Sequence, residues 1–230
     1  AHLSVEWEIY IQPHLNGLRP DFVLLNPRVG IAVFEVKDWN FAAMHYEILE
    51  RPGKAPILKA KKDGKEFSLQ RQNPVEKICQ YKQELHNLYC PRLDGKQGFA
   101  AITAGVIFPY ADDSAVRALF KPSLIYRNMA KYPEYNPLSG RNAIQSGNLH
   151  EVFPEGKRTK SMLMTEDHAK DLRNWLVEPE FAASQRQSLE FDSTQLSFVK
   201  TRTTSGYRRI KGPAGSGKSL ILAARAAELL

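Results

Sequence analysis

The chain has 230 residues, 43% of them hydrophobic, a formal net charge of +7 and a pI near 9.3. This is enough apolar content for a globular core in one large domain or one and a half ordinary ones, and it excludes a disordered or low-complexity polypeptide. No apolar run approaches a transmembrane length and no signal peptide is visible, while the basic balance favours phosphate-rich partners.

In chain order, residues 5–11 alternate polar and apolar and predict a strand. Two more are expected at 21–26 and 30–37, separated by Asn26-Pro27-Arg28-Val29-Gly30, a turn sequence. A hairpin centred on Arg28 sets Asp21 opposite Glu35. Two carboxylates on one sheet face, roughly 4.5–5.5 Å apart at Cβ, repel unless a cation lies between them. Alternation puts Lys37 on the face of Glu35 and Val36 on the other. Two oxygen donors for a hard divalent metal, with an ammonium beside them, suit phosphodiester hydrolysis. The competing reading is a salt-bridged strand pair in which Lys37 neutralises one carboxylate.

Strands are expected at 46–50, 57–61 and 66–69, the last two joined by a turn at Lys62-Asp63-Gly64-Lys65. Arg51 and the lysines at 54, 59, 61, 62 and 65 make this ribbon basic, and Lys61, Lys62 and Lys65 are the first choice for contact with a DNA backbone. Pro74 opens a helix to about Tyr89, capped by Asn73, with Ile78, Tyr81, Leu85 and Leu88 as its apolar stripe. Residues 99–108 read as a buried strand, 113–119 as a short helix and 123–126 as a small strand. Loops are expected over 131–160, with one short element near 149–153, and a helix over 165–176. Cys79 and Cys90 have no CxxC spacing, so neither a zinc site nor a disulfide framework is expected and a reducing cytoplasm fits. The six histidines show no ligand spacing.

Residues 178–191 read as a linker. A second unit follows, with a helix at 193–202, a strand at 207–211, a glycine loop and a final helix. Gly212-Pro213-Ala214-Gly215-Ser216-Gly217-Lys218-Ser219 fits G-x-x-x-x-G-K-[ST]. Backbone N–H groups of such a loop cradle phosphates, Lys218 reaches the β- and γ-phosphates of ATP, and Ser219 binds Mg2+. A complete P-loop domain needs a further strand bearing an acidic residue, which does not occur in the eleven residues after Ser219. The expectation is therefore the first piece of an NTPase, with weak or absent ATP binding by this chain. Ala1 rather than Met at the start suggests that the natural N-terminus lies further upstream.

The stretch from Phe191 through the glycine loop resembles the start of superfamily 1 (UvrD-like) DNA helicases, which implies that Gln195 reads adenine. Arg19-Pro20-Asp21-Phe22-Val23-Leu24-Leu25 with Gly30 to Trp39 resembles the nuclease-related domain, NERD, of the PD-(D/E)xK nuclease fold, often fused to such helicases. The resemblance covers about residues 5–110 and 190–230. It implies an α/β, restriction-endonuclease-like mixed sheet flanked by helices over 1–177, followed by the first strand–P-loop–helix unit of a RecA-like domain over 192–230. Asp21 and Glu35 would hold Mg2+ or Mn2+, with the Val36 carbonyl as an extra ligand. Lys37 would orient or help deprotonate the attacking water, and Gln80 would be the helix glutamine of the site. The family's N-terminal helix glutamate has no counterpart, since Glu6 and Glu8 fall on a predicted strand. The implied activity is metal-dependent DNA hydrolysis within an ATP-dependent helicase–nuclease of DNA repair or defence. The rival reading is an inactive nuclease fold that loads the helicase on DNA.

Overall fold

The computed structural model describes residues 3–13, 15, 17–93, 98–176, 191–201, 210–211 and 217–227. The chain divides into two compact units, Ala1–Val177 and Glu178–Leu230.

The first unit is a mixed α/β structure. Strands β1 (Glu8–Ile11), β2 (Phe22–Asn26) and β3 (Gly30–Val36) form an antiparallel meander. Strands β4 (His45–Arg51), β5 (Lys54–Lys62) and β6 (Lys65–Ser68) form a separate antiparallel sheet. The chain then enters helix α1 (Pro74–Glu84) and returns as β7 (Ile102–Ile107), parallel to β3; the short β8 (Leu138–Ser139) lies parallel to β7. The five-stranded order is β1-β2-β3-β7-β8. Around it lie α2 (Asp113–Tyr126), the short α3 (Arg141–Gln145) and α4 (Leu149–Val152), and α5 (Glu166–Leu176).

Alternation along β2 and β3 builds two cores. Val23, Leu25, Ile31 and Val33 join the larger one with Val75, Ile78 and Tyr81 of α1, while Leu24, Ala32 and Phe34 pack with Trp7 and Phe153 on the other face. Glu35 has the parity of Ile31 and Val33, so the sheet points it at α1. The β2–β3 register is the one the turn chemistry predicts, with Asn26 opposite Gly30 and Phe22 opposite Phe34. Gly30 is obligatory in this place: its φ is +157° and a Cβ would meet the Ala101 carbonyl oxygen at 2.5 Å.

Five expectations are corrected, one of them the loops over 131–160, which hold β8 and α3 besides the short element near 149–153. The first strand starts at Glu8 rather than at residue 5, where Val5 is fully exposed. The α1 stripe ends at Leu85, because a π-type turn over Leu85–Tyr89 rotates the face and buries Tyr89 while Leu88 stays exposed. Residues 99–101 form a 3-10 turn before β7. Residues 123–126 are helical, not a strand, since α2 runs through Pro122. The carbonyl freed by Pro122 belongs to Ala118, on the exposed face where water can satisfy it, and Val116, Phe120 and Ser123 keep the other face buried.

In the second unit Asp192 caps helix α6 (Ser193–Lys200) through a capping box with Gln195, and helix α7 (Lys218–Ala227) begins directly after Gly217. Arg225 donates to the Phe198 and Val199 carbonyls at the end of α6. Residues 178–190 of the expected linker (178–191), residues 207–209 of the expected strand (207–211) and the loop residues Gly212, Gly215 and Ser216 lie outside the described residues.

Candidate functional site

The site sits where β2 and β3 open beside α1. Asp21, immediately before β2, accepts the Val36 N–H on Oδ2 at 2.7 Å. This contact pins the carboxylate at the end of the strand pair, opposite Glu35. Oδ1 accepts no hydrogen bond among the described residues.

Glu35 is 3% exposed and lies at the centre of a polar knot. Lys37 Nζ, on the same strand face, donates to Oε1 at 2.8 Å, and Lys77 Nζ, from the first turns of α1, donates to the same oxygen at 2.6 Å. The Tyr81 hydroxyl lies 3.0 Å from Oε2 and 3.1 Å from the Arg19 carbonyl oxygen, and its one proton serves either. Burial and the neighbouring Glu35 carboxylate push the Tyr81 phenol well above its ordinary range, so it is a hydrogen-bond donor and not a base. A carboxylate this deep is tolerated because its oxygens are met by charge-assisted donors.

The structure therefore brings Asp21, Glu35, Val36 and Lys37 together but not Gln80. Gln80 is exposed on α1 and lines a cleft on the outer side of the helix. Lys77 takes the place expected of it. The signal was available: Lys77 lies four residues before Tyr81 and so borders the apolar stripe, whereas Gln80 lies off it. Glu6 and Glu8 also stand apart. Glu6 pairs with Arg28, and Glu8 is gripped by Arg173 through both oxygens. Arg173 holds the Glu8 carboxyl below its usual range, and burial with Glu8 raises the Tyr10 phenol to about 12.

The donor chemistry fits a hard divalent cation. The oxygens of Asp21 and Glu35 share a face, one Asp21 oxygen is open, and Glu35 already draws two ammonium groups. A cation at Glu35 competes with Lys37 and Lys77 for Oε1. Among the described residues no group of three or more His, Cys, Asp or Glu side chains is placed to hold a metal ion, so a cation here would have only these two carboxylates as acidic donors. Both cysteines are free, and burial raises both thiols, Cys90 to about 12.

The basic ribbon divides into two kinds of lysine. Lys59 is tied to Glu66, and Lys61 lies opposite Glu66 in register. Lys62 and Lys65 face each other across the Asp63-Gly64 turn, both exposed and neither ion-paired among the described residues. Like charges directly opposite repel, so an anion placed between them is favoured. In the second unit Gly217 has φ +75°, and a Cβ there would meet Gln195 Nε2 at 2.9 Å, so the glutamine lies against the last glycine of the P-loop sequence.

The chain matches no protein-family model, no curated protein and no solved structure. No helix among the described residues is long and apolar enough to cross a membrane.

Proposed function

We propose that the first unit hydrolyses DNA phosphodiester bonds with Mg2+ or Mn2+, in the manner of a PD-(D/E)xK (NERD-type) nuclease, within an ATP-dependent helicase–nuclease of DNA repair or defence. The observation that carries this reading is the β2–β3 register, which sets Asp21 opposite Glu35 with Lys37 on the same face. The topology is compatible: an antiparallel meander, a helix, and a strand returning parallel to the meander's last strand.

In this reading the oxygens of Asp21 and Glu35, with the Val36 carbonyl, hold the cation. When bound, the metal supplies Lewis-acid activation of water and of the scissile phosphate. Lys37, 19% exposed at the end of its strand, is placed to orient the attacking water and to offset charge on the phosphate. Tyr81 fixes the Glu35 carboxylate through Oε2, and Lys77 offers a second ammonium at the mouth of the site. Lys61, Lys62 and Lys65 are assigned to the DNA backbone. In the second unit Gln195, Gly212, Gly215, Ser216, Gly217, Lys218 and Ser219 are assigned to ATP, consistent with Gln195 lying beside Gly217 and a helix starting at Lys218.

The deciding experiment is cleavage of labelled single- and double-stranded DNA with Mg2+ or Mn2+ by the wild type, Glu35→Ala and Lys37→Ala. Loss of cutting in both variants with DNA binding retained is the expected result. One observation favours a second reading: Lys37 and Lys77 together balance the charge of Glu35 without a metal. An inactive module that only loads the helicase predicts salt-sensitive DNA binding and no metal-dependent cutting by the wild type.

A further inference from the structure

A cleft of about 390 Å3 runs along the outer side of α1, and Lys77 is common to it and to the Glu35 site. Its other walls are Arg71, Asn73, Glu76, Cys79, Gln80, Gln83 and Arg127. Spacing explains the alignment: Asn73, Lys77, Gln80 and Gln83 recur every three or four residues and so form one polar stripe beside the buried one.

The charge of the cleft is set by what is already paired. Glu76, its one acidic group, is gripped through both oxygens by Arg127. Asn73 spends its carbonyl on the Val75 N–H and its amide on Ser123. Arg71, on the turn between β6 and α1, is exposed and has no ion pair among the described residues. What remains to meet a ligand is the Arg71 guanidinium, the N–H groups of the Lys77 ammonium that are not spent on Glu35, and the side-chain amides of Gln80 and Gln83. These groups complement an anion rich in acceptor oxygens. No aromatic ring lines the cleft, so it offers no platform on which a base could stack.

We infer that this cleft holds the sugar–phosphate backbone of a single nucleic-acid strand next to the scissile bond, with Arg71, Lys77, Gln80 and Gln83 as its contacts. The inference rests on the reading of Glu35 as a nuclease site and names the path by which the substrate reaches it. The cleft is sized for a segment of one strand rather than a duplex. Recognition through phosphate oxygens makes binding indifferent to base sequence. It also gives Gln80 a role distinct from the expected one: it touches the strand beside the site instead of the reacting phosphate.

The test is fluorescence anisotropy of a labelled single-stranded 12-mer in EDTA, so that no strand is cut, over a range of salt concentrations. The chains compared are the wild type, Arg71→Glu, the double variant Gln80→Ala/Gln83→Ala, and Lys121→Glu as a charge-reversal control outside the cleft. All four positions are exposed, and melting curves confirm that each chain folds. Arg71→Glu is expected to weaken binding about tenfold and to lower the salt slope of log K by about 0.7 for the lost phosphate contact. The glutamine variant is expected to weaken binding about threefold with the slope unchanged. The control stays within about twofold. Arg71→Glu and the glutamine variant binding like the wild type overturns the cleft, as does Lys121→Glu losing as much as Arg71→Glu. Cutting in Mg2+ or Mn2+ is scored separately. Weakened binding by the cleft variants alongside a wild type that never cuts leaves the cleft standing and removes the nuclease reading. Normal cutting alongside unaltered binding does the reverse.

Discussion

Glu8 and Glu35 lie in the same sheet, and each is gripped by cations, yet they are different objects. The Glu8 side chain is 34% exposed and meets the Tyr10 hydroxyl and one guanidinium, that of Arg173 on α5, in a fork geometry that ties a helix to an edge strand. The Glu35 side chain is 4% exposed and meets two ammonium groups and a phenol, more positive charge than one carboxylate requires. Both lysines keep contact with water, at 19% and 39% exposure, so they can leave while Glu35 cannot. A staple fixes two elements, here with one guanidinium shared between Glu8 and Glu166. A site buries one sign of charge and keeps its counter-charges replaceable.

The contrast can be broken first by removing the counter-charges. Lys37→Met/Lys77→Met leaves a buried carboxylate with only Tyr81, and the double variant is expected to lose about 3 kcal/mol or more in urea unfolding. If it unfolds like the wild type, the two lysines are not what stabilises the buried Glu35 side chain. Lys82 sharpens the same point from the opposite side. This α1 lysine lies 5.6 Å from the Tyr135 ring and is not ion-paired among the described residues, and burial lowers its pKa to about 8. Between about 8 and its unfolded value of 10.5 the unfolded chain binds more protons, so stability rises with pH across that window. Lys82→Met is expected to remove this rise and to stabilise the fold at pH 7 by about 2 kcal/mol, seen as a higher melting temperature.

Glu35→Gln comes next. Its lysines can turn to solvent, so the expected cost is only about 1–1.5 kcal/mol, although metal-dependent cutting should disappear. A large stability loss with cutting retained would make Glu35 a staple after all. Arg173→Ala is expected to cost about 0.5–1 kcal/mol at neutral pH, since the pair is partly solvated. The Glu8 carboxyl is held below its ordinary 4.5, so its contribution is present above that pH and fades as acid brings it through the folded value. The variant should therefore converge with the wild type in acid. The smallest effect is at the hairpin tip. Lys65→Glu is expected to stabilise by a few tenths of a kcal/mol, about 0.3, while weakening DNA binding.

The legible part of the site was the part written within one hairpin. A five-residue turn sequence fixed the register, and strand parity then put Asp21, Glu35 and Lys37 on one face. Lys77 was missed because its role depends on which way α1 crosses the sheet, a tertiary fact, although its place beside the Tyr81 stripe marked it. The resemblance pointed to a glutamine and so drew attention to Gln80, one helical step away from the carboxylate. The fold failed to be legible where local signals were overruled. Pro122 followed by Ser-Leu-Ile-Tyr has the look of a break and a strand, but Ala118 faces water and the apolar positions keep helical spacing, so α2 continues. The Leu85–Tyr89 rotation leaves no trace in sequence periodicity.

The position of β3 also bears on the order in which the molecule assembles. On one side it pairs with β2 across a tight turn, a contact that closes quickly. On the other it pairs with β7, joining Ile31 to Ile102, and that ladder waits until the whole second sheet and α1 have been laid down between them. Closing so long a loop is slow. Asp21 and Glu35 thus come face to face early, and α1 covers them late. Until α1 brings Lys77 and Tyr81 into place, the two carboxylates stand uncovered at the end of a nascent hairpin.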